Sequence, residues 1–71
     1  MRRQRVDSSA ISSMGYDARS STLEVEFRSG AVYDYHGVPP KVWKDLLGAP
    51  SKGRFFSRSL RGRYPSTRQE S

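Results

Sequence analysis

Thr22-Leu23-Glu24-Val25-Glu26-Phe27-Arg28-Ser29-Gly30-Ala31-Val32-Tyr33-Asp34-Tyr35 is the stretch that decides how this 71-residue chain folds. Leu23, Val25 and Phe27 alternate with Thr22, Glu24, Glu26 and Arg28, the signature of a strand with one face buried and one in water. Arg28-Ser29-Gly30 then turns the chain, and two hairpin registers compete. A two-residue Ser-Gly loop sets Val32 opposite Phe27 and places Asp34 opposite Val25, on the core face. A three-residue loop, a type I turn with Gly30 as the left-handed bulge residue, shifts the pairing by one. Ala31, Tyr33 and Tyr35 then share a face with Phe27, Val25 and Leu23. A slip of one residue turns every side chain over, so burial decides, and burying two tyrosines is cheaper than burying an aspartate. The second register is expected.

Working outward, Ile11, Met14 and Tyr16 are apolar among small residues and give the strand before this one, with a turn-rich break over Asp17–Ser21. After the hairpin, Val38-Pro39-Pro40 ends the sheet, and Pro40 suits the first turn of a helix. Val42/Leu46 and Trp43/Leu47 recur at four-residue spacing, marking a short amphipathic helix closed by Gly48. Ser51 caps a second helix running to about Leu60. The expected fold is α+β: a three-stranded antiparallel meander covered by two short helices, in the order βββαα. Residues 1–8 read as a flexible basic arm, 9–64 as a single domain and 65–71 as a polar tail, because the two ends offer little apolar material to order themselves.

Composition narrows the function. The chain has no Cys and one His, which leaves neither a disulfide framework nor a protein-only zinc site, and no cofactor is expected. No apolar run is long enough to span a membrane, and the basic start lacks the apolar stretch of a secretory signal, so the cytoplasm is the expected location. The net charge of +6 comes from 13 Lys and Arg against 7 Asp and Glu, and it is unevenly spread. Arg2, Arg3 and Arg5 lie in the arm. The central scaffold is close to neutral. Beyond it, Lys52, Arg54, Arg58, Arg61, Arg63 and Arg68 face a single acid, Glu70. Such asymmetry is the electrostatic footprint of a polyanion partner.

Within that basic segment, Arg54, Arg58 and Arg61 fall within about 60° of one another on a helix, opposite Phe56 and Leu60. Lys52 and Arg63 flank them. A guanidinium on each turn can contact successive phosphates, and Ser51 and Gly53 at the helix start form a possible phosphate seat. An amphipathic helix also has a solvated face, but such a face normally mixes charge signs, and this one does not. Lys-Gly beside Ser lacks the spacing of a nucleotide-hydrolysing phosphate loop. His36 has no nucleophile and acid beside it, and Glu24 and Glu26 lie on a solvent-facing strand surface without a pocket. No catalytic residue and no small-molecule substrate are therefore expected.

The segments Thr22–Phe27, Ser29-Gly30, Tyr33-Asp34-Tyr35, Val38-Pro39 and Ala49-Pro50-Ser51-Lys52-Gly53-Arg54-Phe55-Phe56, in that order, resemble the KTSC domain. That module takes its name from the C-terminus of certain lysyl-tRNA synthetases, and the likeness runs from about Ser8 to Tyr64. It implies a small bacterial or phage module, free-standing or appended to a synthetase, with RNA favoured over DNA as the polyanion. Tyr33 and Tyr35 are its Y-x-Y motif. They can be stacking platforms for bases or core residues, and the bulged register favours the core. The other functional class open to such a chain is a protein-interaction module that pairs through the sheet face or edge.

Overall fold

The computed structural model describes residues 2–69. Seven elements follow one another: β1 (Gln4–Arg5), β2 (Ile11–Asp17), β3 (Thr22–Phe27), β4 (Val32–Tyr35), α1 (Pro40–Gly48), α2 (Lys52–Ser59) and β5 (Ser66–Gln69). The strands form one antiparallel sheet in the order β1-β2-β3-β4-β5.

The hairpin has the bulged register. Tyr33 pairs with Val25 and Tyr35 with Leu23. The Phe27 carbonyl accepts from the Gly30 amide at 2.9 Å, the Phe27 amide donates to the Ala31 carbonyl at 2.9 Å, and Gly30 has φ of +95°. Only a residue without a Cβ adopts that angle at little cost.

Ile11, Met14, Leu23 and Val25 are fully buried under the helices, which contribute Leu46, Phe56 and, just past α2, Leu60. Phe56 sets its ring edge-to-face against Phe27 and Tyr35, with centroids 5.3 and 5.2 Å apart. Ser51 caps α2, its hydroxyl accepting from the Arg54 amide at 3.3 Å. The first helix begins at Pro40 as expected and keeps Gly48 in its last turn, with Ala49 as the cap.

The sheet has five strands rather than three. The two extra strands come from the segments read as arm and tail. β1 pairs Gln4 with Met14 and Arg5 with Ser13, and β5 pairs all four of its residues with β4. Val6, the one apolar side chain of the arm among the described residues, is 7% exposed and its amide donates to the Ser12 carbonyl at 3.0 Å. Neither edge strand needs an apolar face, because the open backbone groups of β2 and β4 supply its partners. Met1, Glu70 and Ser71, also assigned to the arm and tail, lie outside the described residues.

A second departure concerns Glu24. Its strand face was expected to be open to solvent, yet Glu24 is 8% exposed. Arg3, carried in by β1, lies 3.4 Å from its carboxylate, and the Gln69 amide of β5 donates to both Glu24 and Asp34. The two edge strands thus fold a polar cover over the far face of the sheet.

Candidate functional site

Arg54, Arg58 and Arg61 were expected on one face of the second helix with Lys52 and Arg63 flanking them, and the structure divides the five. Lys52, Arg54 and Arg58 line a groove of about 700 Å³ whose opposite wall is the loop from Asp7 to Ala10. That wall is fixed. The Ser8 hydroxyl accepts from the amides of Ala10 and Ile11 at 3.2 and 3.3 Å, and the Arg28 guanidinium donates to the Ser8 carbonyl at 3.0 Å. Arg54 and Arg58 are exposed. The Lys52 ammonium donates to the Ala49 carbonyl at 2.9 Å, tying the two helices together while it faces the groove.

Arg61 lies past the helix end and borders a second cleft, of about 520 Å³, walled by Phe27, Tyr33, Tyr35 and Phe56. The two hollows adjoin, since Ala10, Gly53 and Ser57 line both. Arg63 belongs to neither. Its guanidinium turns back to donate to the Arg58 carbonyl at 3.2 Å, satisfying the C-terminal end of α2.

Ser51 and Gly53, the expected phosphate seat, form part of the groove wall. The Ser51 hydroxyl accepts from Arg54, while the amides of Lys52 and Gly53, in the first turn, have no intrahelical acceptor. A Cβ built on Gly53 would sit 3.6 Å from Ala10 Cβ and 3.7 Å from Ser8 Oγ, ordinary contacts. Packing therefore does not require a glycine here, although glycine weakens a helix.

Among the described residues one ion pair forms, between Arg3 and Glu24, on the other face of the sheet. The groove cations thus have no carboxylate within 4 Å among the described residues, and Asp7 is the acid that shares their groove.

Tyr35 is 7% exposed, whereas Tyr33 is half-buried. Burial raises the Tyr35 pKa above the usual tyrosine value, and the adjacent Tyr33 adds to the rise, while Arg61 opposes it. Arg68 of β5, opposite Tyr33 in register, holds its guanidinium carbon 6.0 Å from the Tyr33 ring centre. Phe27, Ser8, Arg28 and Arg68 were not singled out from the sequence as site residues. Arg68 could not be, since only its place in an edge strand brings it over Tyr33.

Residues 7–64 match the KTSC domain family. The chain belongs to that family. The KTSC chain is similar along 58 residues to a lysine–tRNA ligase of Nostoc punctiforme, at 43% identity, covering 82% of this chain and 10% of the ligase. It thus spans about a tenth of that relative's length. An uncharacterised protein of Stutzerimonas stutzeri is 45% identical over 64 residues, with 90% of each chain covered. The crystal structure of a KTSC domain protein from Yersinia pestis superposes with a TM-score of 0.95 at 39% identity and covers 97% of both chains, a span too complete to omit either edge strand. By contrast, the family match from residue 7 to 64 leaves out β1 and β5.

Elsewhere in this KTSC domain, His36 shares a 2.9 Å hydrogen bond with the Thr67 hydroxyl, and Trp43 stacks on Tyr16 with centroids 5.7 Å apart. No group of three or more potential metal-ligating His, Cys, Asp or Glu side chains occurs among the described residues, and no helix among them is long and apolar enough to cross a membrane.

Proposed function

We propose that this KTSC domain is a non-catalytic, cytoplasmic nucleic-acid-binding module, with RNA favoured over DNA. The observation that carries the reading is the groove beside α2, where Lys52, Arg54 and Arg58 lie without a carboxylate partner within 4 Å among the described residues. Such cations gain by releasing counterions from a phosphate backbone, and arginine can hold phosphate oxygens bidentately. The amides of Lys52 and Gly53 in the first turn of α2 add donors and the positive end of the helix dipole. Arg61 extends the line of charge into the neighbouring cleft. These contacts go to phosphate, so binding is largely insensitive to sequence. The preference for RNA draws support from the similar segment in lysine–tRNA ligases.

Titrating the protein with a tRNA, with single strands and with duplexes at two salt concentrations tests the proposal. If Lys52, Arg54, Arg58 and Arg61 neutralise about four phosphates, the log–log salt slope on single strands is roughly −3, and affinity falls about 50-fold between 50 and 200 mM salt. Absence of binding to every nucleic acid at the lower salt would turn attention to a protein partner, whose edge-pairing or apolar interface responds little to salt.

A further inference from the structure

The cleft next to the groove has a chemistry that phosphate binding does not use. Its walls are the rings of Phe27, Tyr33, Tyr35 and Phe56, and Arg61 borders it. Tyr35 and Phe56 are buried, but Phe27 and Tyr33 are only half-covered, so apolar ring surface stays open to water at the mouth. Phe27 and Tyr33 meet edge-to-face with centroids 5.9 Å apart, and Arg68 approaches the Tyr33 ring from β5. Half-exposed rings beside two arginines suit a flat ring that brings negative charge with it, and a nucleotide has both parts. The volume, about 520 Å³, falls within the range of small-ligand pockets, roughly 300–1,000 Å³. The lining shared at Ala10, Gly53 and Ser57 sets the cleft directly beside the basic groove, within reach of the same strand.

We infer that the cleft between Tyr33 and Arg61 receives one unpaired base of a single strand whose phosphates lie along the Arg54–Arg58 groove. The inference rests on the nucleic-acid reading above and adds that the strand must be single. A base held in a duplex is stacked on its neighbours and turned inward, whereas an unpaired base can be splayed out and laid on an aromatic ring. Because every base has such a face, the cleft selects strandedness rather than sequence.

The test uses a short single-stranded oligoribonucleotide carrying one 2-aminopurine, with the same oligonucleotide in a duplex as the comparison. On the wild-type protein the single strand binds more tightly than the duplex, and stacking quenches the 2-aminopurine fluorescence. Tyr33→Leu keeps apolar bulk but removes the ring. It is expected to abolish the quench and weaken single-strand binding by roughly 10- to 100-fold, leaving the salt slope unchanged. Tyr33→Phe is expected to retain both. An unquenched wild-type complex, or a folded Tyr33→Leu protein with wild-type affinity and quench, would overturn the cleft assignment. If Arg54→Gln/Arg58→Gln still weakens binding in that case, the groove reading survives without the cleft; if no nucleic acid binds the wild type, both readings fall.

Discussion

Gly53 sits between two demands that single residues make on this fold. Helix stability disfavours glycine within α2, and the space around its α-carbon accepts a methyl group without a close contact. Gly53 is the second residue of α2, so Gly53→Ala should raise stability by no more than about 0.5–1 kcal/mol, the value for a helix interior, seen as a higher Tm. The methyl group also intrudes on the groove wall, so single-strand affinity should fall even as the protein becomes more stable. A variant that is both more stable and equally tight would show that the bound strand does not approach Gly53. Glu24 makes a second, independent demand. Burial is the largest cause raising its pKa above the usual glutamate value, and the hydrogen bond and negative charge of Asp34 add to it; Gln69 and Arg3 pull the other way. The raised value means that folding disfavours the ionised form. The stabilisation of the protonated form is present below the ordinary glutamate range and is lost as pH rises through the raised value. Glu24→Gln resembles protonated Glu24 at every pH. It should melt above wild type at pH 7, and the gap should close on acidification to about pH 4. A gap that does not change with pH would place the cause outside this carboxyl.

At the scale of elements, the sequence discloses those whose identity lies in a pattern and conceals those held by backbone alone. The alternation from Leu23 to Phe27 and the tyrosine spacing were enough to set strand, turn and register, and paired apolar residues with their caps set both helices. β1 and β5 have no such pattern. Ser66–Gln69 is exposed throughout, and Gln4–Arg5 is a two-residue strand preceding one buried valine. One trace of β1 is present in the sequence, at Gly15, a glycine inside a strand where another backbone passes closely. A Cβ there would lie 2.5 Å from the Arg2 carbonyl oxygen. The same pairing explains the misread surface of Glu24, since its cover arrives on strands that composition does not reveal. These contacts have a measurable consequence. Deleting residues 1–6 removes the Val6 side chain, whose full burial is worth about 1.5 kcal/mol or more, together with the β1 pairing. Tm should drop by at least about 4–8 °C, the equivalent of roughly 1 kcal/mol in a domain of this size. An unchanged melting curve for the shortened chain would show that β1 contributes no net stability.

Across the whole molecule, charge is sorted by face. Glu24 and Asp34, with Arg3 and Gln69, form a polar cluster on one side of the sheet, in which Arg3 Nη1 and Asp34 Oδ1 are buried without a hydrogen-bond partner. Arg54, Arg58 and Arg61 stand on the helix side, exposed and without carboxylate partners within 4 Å among the described residues. Part of the arginine face was legible in the sequence, since four-residue spacing puts Arg54 and Arg58 together within α2. Its division into groove and cleft was not, because Arg61 lies beyond the end of α2 and the opposing wall comes from residues 7–10, remote in the chain. Cations gathered on one face without carboxylate partners suit a polyanion-binding surface, and salt dependence reports on it directly. The deciding measurement is the salt slope of single-strand binding for wild type and Arg54→Gln/Arg58→Gln, with folding verified by circular dichroism. Losing two phosphate contacts should make the slope shallower by about 1.4, from roughly −3 to about −1.5, and to a similar extent for every sequence tested. A folded double variant with the affinity and slope of wild type would contradict the account.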